Sequence, residues 1–318
     1  MDVGSDAKNC GGCGVACDGT CALGRCVVTL ASGFYQPYGV ATDGTNAYFT
    51  TDGQGEREGF VMRVPAGGGA VTTLASMGTN SWPHHILVDG ASLFWTNFDN
   101  GMVTTMPTGG GATTTLALPD PHGGPHGIAL DATYVYWTAY YDHAIMRVPR
   151  AGGIPKVVIS NQDFPFQVAV DAENIYWADK GPSEGTKADG TVHRASLDGS
   201  GEVILALDQK YPGVIAVDAT SVYWVAAGDG TVMKVPRDGG VATTLASGQA
   251  GPYFLVLDGG YLYWSTYLDG AIRKMRTDGG PITTLAVDGL GPYNIAVDAT
   301  SVYWASYDQG KVKKVTPK

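Results

Sequence analysis

The chain has 318 residues, a formal net charge of −10 and only 16% charged residues. A negative balance of this size argues against nucleic acid and anionic membrane surfaces as partners, because both carry the same sign of charge. No apolar run approaches the roughly 20 residues that a membrane-spanning helix needs, so we expect no membrane span. Glycine contributes 46 residues, about twice its usual share, which is typical of a chain with many tight turns.

All five cysteines lie within the first 26 residues, among Gly, Asn and Asp. This clustering predicts a small disulfide-bonded leader, residues 1–26, formed in an oxidising compartment. A zinc site is the alternative, because two of the cysteines have Cys-x-x-Cys ligand spacing, but no second such pair follows. Since five is odd, one cysteine pairs beyond this sequence, pairs with another chain, or is free. The five are Cys10, Cys13, Cys17, Cys21 and Cys26.

Seven copies of one motif follow the leader: an adjacent aromatic pair with an Asp five residues before it. The first members of successive pairs are 40 to 47 residues apart, a period that indicates a propeller or a repeat array. The pairs are Tyr48-Phe49, Phe94-Trp95, Tyr136-Trp137, Tyr176-Trp177, Tyr223-Trp224, Tyr263-Trp264 and Tyr303-Trp304, and the acids are Asp43, Asp89, Asp131, Asp171, Asp218, Asp258 and Asp298.

Each repeat reads as four short strands, rich in Val, Ile, Thr, Tyr and Trp and separated by Gly or Asp. Adjacent residues on a strand face opposite sides, so an aromatic pair buries both rings only in a sheet covered on both faces. We therefore predict an all-β, seven-bladed β-propeller over residues 27–318, with four antiparallel strands (a to d) per blade. The repeated Asp residues are predicted to cap the turn between strands a and b.

The seventh repeat lacks a fourth strand, and the sequence ends at Lys318 soon after its third strand. Residues 27–32 match the fourth-strand segment 241–247 of another repeat. The N-terminal strand is therefore predicted to complete the last blade and close the ring, which removes its open edges.

Variation between repeats concentrates in the loops that precede strand a and in those that join strands b and c. Both loop types lie on one face of a propeller, so we expect function on that face. The b–c loop is predicted to be longest in blade 4, over 179–190, and long in blade 1, over 52–59. In blade 3 the position before strand c holds His143, where the other blades have Gly.

A proline precedes every strand a, and the residue after it should line the mouth of the central channel. These residues are Tyr38, His84, His126, Phe166, Gly213, Tyr253 and Tyr293. A second ring, just beyond the strand-b aromatics, offers Asp52, Asn97, Phe98, Tyr140, Asp179, Lys180, Tyr267 and Tyr307. Such an aromatic funnel with a few polar groups is typical of sites that bind sugars, peptides or flat ligands. Ordinary loop packing is the alternative.

Five of the six histidines fall in blades 2 and 3, and His84 and His126 share one register. Both are predicted to point to the channel mouth, where two imidazoles can bind a divalent metal or act as acid and base. A metal would need a further ligand, which His122, His143 or His85 could supply. Solvated or structural histidines are the alternative. His193, alone on strand c of blade 4, is predicted to lie on the surface.

Three resemblances extend this interpretation. The repeat Val-Asp-x-Thr-x-Val-Tyr-Trp resembles YWTD and NHL propeller repeats over about 290 residues. The segment Asn9 to Cys17 resembles Cys-rich leaders of secreted and surface proteins of myxobacteria. Residues 124–128, Gly-Pro-His-Gly-Ile, resemble the streptogramin B lyases, which open a cyclic depsipeptide lactone by elimination. That resemblance implies paired histidines at His84 and His126, and also a metal-binding Glu where this chain has Ala139 and Asn97.

We expect a monomeric, secreted or cell-surface bacterial protein whose export signal or anchor lies outside this sequence. Its predicted role is to bind a sugar, peptide or protein on the loop face around the channel mouth, and the one candidate cofactor is a divalent metal. The alternative is a metal-assisted lyase or hydrolase that uses His84 and His126 as catalytic residues. A third possibility is a structural or adhesive ring. If the chain is a binder, its rim aromatics should control affinity; if it is an enzyme, the histidine pair should control activity.

Overall fold

The structure is a computed structural model that describes residues 2–11, 16–117, 123–183, 186–289 and 291–318; the side chains at positions 54–56 and 80 are also left aside. Seven antiparallel sheets follow one another along the chain. Their innermost strands contact each other in a closed ring, from blade 1 through blade 7 and back to blade 1. This confirms the predicted seven-bladed β-propeller. Within the described residues, no helix is long and apolar enough to span a membrane.

The strands, numbered in chain order, follow the predicted four-strand unit closely. Before the ring come β1 Thr20–Ala22 and β2 Arg25–Ser32. Blades 1 to 3 contain β3 Pro37–Thr42, β4 Asn46–Thr51, β5 Gly53–Pro65, β6 Thr72–Ser81, β7 Pro83–Asp89, β8 Ser92–Asn97, β9 Met102–Pro107, β10 Thr114–Ala117, β11 Pro125–Leu130, β12 Tyr134–Ala139, β13 Ala144–Pro149 and β14 Lys156–Ile159. Blades 4 to 7 contain β15 Pro165–Val170, β16 Asn174–Asp179, β17 Gly190–Ser196, β18 Val203–Gln209, β19 Pro212–Val217, β20 Ser221–Ala226, β21 Thr231–Pro236, β22 Thr243–Ala246, β23 Pro252–Asp258, β24 Tyr261–Thr266, β25 Ala271–Arg276, β26 Thr283–Val287, β27 Pro292–Val297, β28 Val302–Ser306 and β29 Lys311–Thr316.

The ring is closed by its N-terminal strand, as predicted. β2 pairs antiparallel with β29, from Cys26 opposite Thr316 to Ser32 opposite Lys311. Two disulfides, Cys10–Cys21 and Cys17–Cys26, confirm the disulfide interpretation of the leader. Cys13 lies outside the described residues. The division into a leader of 1–26 and a propeller of 27–318 stays a prediction, and its boundary falls inside β2.

The repeated motif is the packing unit between blades. Every aromatic pair is buried, with both rings at most 4% exposed. The Asp cap is confirmed: Asp43 Oδ1 accepts the backbone N–H of Thr45 at 2.8 Å, and four other blades repeat this bond. The structure adds a contact that the sequence did not suggest, because the Tyr48 hydroxyl donates to Asp43 Oδ2 at 2.7 Å. The same Tyr–Asp bond recurs in blades 3, 4, 5 and 7.

Blade 1 departs from the prediction of a long b–c loop over 52–59. Residues from Gly53 onward belong to β5, a strand of 13 residues that pairs with β6, itself lengthened to 10 residues, as far as Ser81. Backbone pairing between two lengthened strands therefore replaces an open loop. The Gly- and charge-rich sequence lacks the alternating pattern that would have indicated a strand.

Candidate ligand-binding site

Six of the seven residues that follow the strand-a prolines meet at the channel mouth, as their shared register predicts; the seventh, Gly213, has no side chain to contribute. Tyr38 stacks on His84 at 3.7 Å between ring centroids, and His84 lies 4.1 Å from His126. His126 in turn lies 3.8 Å from Phe166. Across the channel, the hydroxyl of Tyr38 lies 3.0 Å from that of Tyr253. The rim is therefore a chain of rings in contact, from Phe166 through His126, His84 and Tyr38 to Tyr293 and Tyr253.

Above this ring set lies a pocket of about 320 Å³, hereafter the mouth pocket. Seven of the eleven predicted ligand-binding residues line it: Tyr38, His84, His126, Tyr140, Phe166, Tyr253 and Tyr293. Phe98 and Lys180 of the predicted second ring also line it. The sequence reasoning missed Trp82, Tyr141 and Tyr211. Trp82 and Tyr211 directly precede strand-a prolines, so the position before proline was the signal that could have identified them.

The other four predicted residues do not line the mouth pocket. Tyr267 and Tyr307 support it from behind, with ring centroids 5.5 and 5.0 Å from that of Tyr293. Asn97 is fully buried, and neither atom of its side-chain amide has a hydrogen-bond partner among the described residues. Asp179 is buried between blades 3 and 4.

Lys180 supplies the positive charge of the mouth pocket. Its ammonium lies 3.8 Å above the Phe166 ring and 4.4 Å from the Tyr211 ring centroid. It also donates a hydrogen bond of 3.0 Å to the Tyr211 hydroxyl. The side chain is only 7% exposed. A cation held over aromatic faces in a nearly dry wall favours a ligand with an acidic group.

Three histidines, His84, His85 and His126, form a layer beneath the mouth pocket. One nitrogen from each lies within 4.8 Å of the others. Burial lowers the pKa of His84 and of His126 well below the usual value and that of His85 to about 3. The neighbouring histidines and Lys180 lower the pKa of His126 further. All three imidazoles are therefore neutral near pH 7, which is the state that binds metal ions.

The hydrogen bonds of the layer distinguish its members. The Nδ1 atoms of His84 and His126 have no partner in the described structure. His85 Nδ1 lies 2.9 Å from Gln167 Nε2. Because Gln167 Oε1 accepts the Val168 N–H at 3.2 Å, the Gln167 nitrogen is the donor, and His85 carries its proton on Nε2. Among the described residues, no hydrogen bond at Nδ1 fixes the tautomer of His84 or His126, so a neutral ring can present its lone pair there, whereas His85 Nε2 must first lose its proton.

His143, another predicted metal ligand, is placed elsewhere. His143 Nδ1 lies 2.8 Å from the backbone oxygen of Gln162, and its ring packs against Phe164. It is not part of the histidine layer, and its φ of 55° matches the left-handed glycines before strand c in other blades. His122 lies outside the described residues. His85, one residue beyond the shared register, takes their place.

Buried threonine hydroxyls hold the histidine backbones. Thr96 Oγ1 accepts the His85 N–H at 3.3 Å and donates to the His126 carbonyl of the next blade at 2.9 Å. Thr50 bonds the His84 carbonyl in the same way, at 3.1 Å. Each hydroxyl directly follows a strand-b aromatic pair, so the repeat itself ties adjacent inner strands together at the depth of the histidines.

The prediction that His193 lies on the surface is wrong. The side chain is 6% exposed and stacks on Trp177, with ring planes 12° apart. The two residues are cross-strand partners, so both face blade 3, which covers them. His193 Nε2 lies 2.6 Å from Thr191 Oγ1 and 3.6 Å from an Asp179 carboxylate oxygen. Burial raises the pKa of Asp179 to about 7.

Comparison with known proteins shows the fold. No protein-family model and no curated protein sequence matches the chain. A streptogramin B lyase structure superposes with a TM-score of 0.77 at 14% identity, covering 92% of this chain and 98% of that one. A catalytically inactive virginiamycin B lyase from Staphylococcus aureus, solved with quinupristin, gives 0.74 at 14%, covering 92% and 99%. A nidogen/laminin complex gives 0.61 at 19%, covering 74% and 94%. The chain therefore shares its seven-bladed propeller fold with streptogramin B lyases.

Proposed function

We propose that this protein binds, in its mouth pocket, a peptide or small molecule that presents an aromatic ring next to an acidic group. The observation that carries the proposal is the wall of the pocket, nine aromatic side chains with two neutral histidines and the Lys180 ammonium. Stacking and edge contacts with such rings stabilise a flat group, and the ammonium pairs with its acid.

Among the ligands expected from the sequence, this wall favours a peptide over a sugar. A sugar presents several hydroxyls that pair best with carboxylates and side-chain amides. None of those groups lines the mouth pocket among the described residues. We place the protein outside the cell or in the periplasm, because two disulfides are typical of an oxidising compartment.

The test is calorimetry with N-acetylphenylalanine and its uncharged amide. The acid should bind more tightly than the amide, and Lys180→Met should abolish that preference, a change of about tenfold because a charged hydrogen bond is lost. Phe98→Ala removes a half-exposed ring of the wall and should weaken both ligands. Tyr134→Ala, on β12 outside the pocket, is the matched control and should leave both affinities unchanged. Equal binding of acid and amide to the unmodified protein would contradict the proposal.

A second candidate function is metal-assisted lyase or hydrolase chemistry, and the histidine layer is the observation that favours it. His84 and His126 would hold the ion through their unpartnered Nδ1 atoms, with His85 as a third ligand after its proton moves. Imidazole ligands suit Zn, Cu, Ni or Co better than Mg. Such an ion, when bound, would polarise a carbonyl at the floor of the pocket.

Metal content and calorimetry separate the two candidates. Zinc and nickel should bind the unmodified protein at micromolar concentration and fail to bind the variant carrying His84→Ala and His126→Ala. If neither protein binds, or both bind equally, metal-assisted chemistry is excluded and the ligand-binding function stands alone.

A further inference from the structure

A second cavity, of about 280 Å³, lies in the central channel on the other side of the histidine layer. It is lined by the later residues of the inner strands, including Val88, Val256 and Val297, so it opens on the a–b turn face, opposite the mouth pocket. His85 lines this cavity, whereas His84 and His126 line the mouth pocket. The histidine layer therefore separates two chambers.

The closed end of this turn-side cavity is polar, and its walls are apolar. His85, Gln167 and Asn294 all stand two residues after a strand-a proline, so they share one level of the channel. Glycine holds this position in blades 1 and 3. At Gly127 a Cβ would lie 1.9 Å from Gln167 Oε1, so only glycine lets Gln167 reach His85. The sequence thus shapes this level to bring polar side chains from three blades together.

Two polar atoms at this level have no partner in the described structure. His85 Nε2 carries a proton, as its bond to Gln167 requires, and it is a buried donor. Asn294 Oδ1 is a buried acceptor on a side chain that is 2% exposed. A buried polar atom without a partner is costly, and both residues line the cavity, which is the space from which a partner can be supplied. No carboxylate, Lys or Arg lines the cavity among the described residues.

We propose that the turn-side cavity is a second binding site, specific for a small neutral molecule with an aliphatic body and a primary amide or hydroxyl head. The head accepts a hydrogen bond from His85 Nε2 and donates one to Asn294 Oδ1. The body packs on the valine and leucine walls. A carboxylate head is rejected because it cannot donate to Asn294 and would be buried without a positive partner.

The site is tested by NMR on protein labelled with ¹⁵N in its histidines, titrated with hexanamide and with hexanoate at neutral pH. His85→Gln assigns the ring signals. Hexanamide should shift the His85 Nε2–H signal saturably, and hexanoate should bind at least about tenfold more weakly. Asn294→Leu removes the acceptor at similar size and should weaken hexanamide about three- to tenfold. Tyr134→Ala, at a residue that lines neither the mouth pocket nor the turn-side cavity, is the matched control and should leave the affinity for hexanamide unchanged.

Three outcomes overturn the proposal. The first is that hexanamide at millimolar concentration causes no saturable shift of the His85 Nε2–H signal, which leaves water as the only occupant of the cavity. The second is that hexanoate binds as tightly as hexanamide. The third is that Asn294→Leu has the same affinity for hexanamide as the unmodified protein. If Asn294→Leu does not fold, the comparison of hexanamide with hexanoate on the unmodified protein still decides. The mouth pocket is tested with N-acetylphenylalanine and Lys180→Met, and the turn-side cavity with hexanamide and Asn294→Leu, so failure of one site is distinguishable from failure of the other.

Discussion

Replacing Thr96 with Val measures how strongly the inter-blade hydroxyls hold the histidine layer. Thr96 is fully buried, and its hydroxyl serves both the His85 N–H and the His126 carbonyl. Valine keeps the branched shape, so the main loss is two hydrogen bonds to buried backbone groups. At about 1–1.5 kcal/mol for each bond, the free energy of unfolding should fall by about 2–3 kcal/mol. The affinity of the mouth pocket should fall too, because His126, which lines that pocket, loses part of its support.

Urea unfolding followed by tryptophan fluorescence measures this loss, with Thr96→Ser as the control that keeps the hydroxyl. The serine variant should lie closer to the unmodified protein than the valine variant does, since it retains both bonds. If the two variants have the same unfolding midpoint and the same affinity for N-acetylphenylalanine, the hydroxyl does not hold the layer and the reasoning fails.

Three further predictions concern the whole ring. Trp264→Ala should cost about 3–5 kcal/mol, since this fully buried ring packs between blades; a cost below about 1 kcal/mol in urea unfolding would contradict that position. Deleting residues 1–32 should lower the melting temperature strongly, because β29 loses its partner strand. Deleting residues 1–24, together with Cys26→Ser, keeps β2 and should lower the melting temperature much less. If the two deletion variants have the same melting temperature, β2 does not close the ring. Stability should also fall with pH below 6.5. Burial lowers the pKa of the three layer histidines, so the unfolded chain binds more protons there, with a slope approaching about 1.4 kcal/mol per pH unit for each. Asp179, whose raised pKa makes the folded chain bind one more proton in the same window, offsets about one histidine's share. If the free energy of unfolding measured by urea titration does not change between pH 6.5 and about 5, this prediction is refuted. His85→Gln should reduce the slope of that free energy against pH by the contribution of one histidine.

The fold could be predicted because the same aromatic pair, which must be buried on both faces of its sheet, occurs in seven successive repeats. An aromatic pair such as Tyr303-Trp304 can be buried on both faces only between neighbouring sheets. The missing seventh strand d likewise had one matching segment, at residues 27–32. The extended hairpin of β5 and β6 could not be predicted, because its pairing depends on backbone geometry and leaves no periodic pattern in a Gly-rich segment.

The position of a pocket residue could be predicted where the repeat register sets it. It was missed where the local backbone conformation sets it. Tyr38, His84 and His126 share one repeat position and meet as expected. Tyr211 enters the mouth pocket from a residue with a φ of 54°, a left-handed conformation that sequence does not suggest for Tyr. His193 was misplaced because its covering partner, Trp177, and the blade beyond it are set by cross-strand register. The tautomer of His85 depends on Gln167, 82 residues away.

The pairing of β2 with β29 fixes how the ring is presented to its surroundings. Because the strands are antiparallel, Cys26 at the start of the closing strand lies opposite Thr316 at the end of the last one. The chain therefore enters β2 and leaves β29 at the same corner of blade 7, on the face of the a–b turns. The disulfide between Cys17 and Cys26 ties the leader to this same corner, so the leader and the mouth pocket lie toward opposite faces of the ring. A molecule that approaches from the leader side therefore reaches the turn-side cavity first, and one that approaches from the other side reaches the mouth pocket.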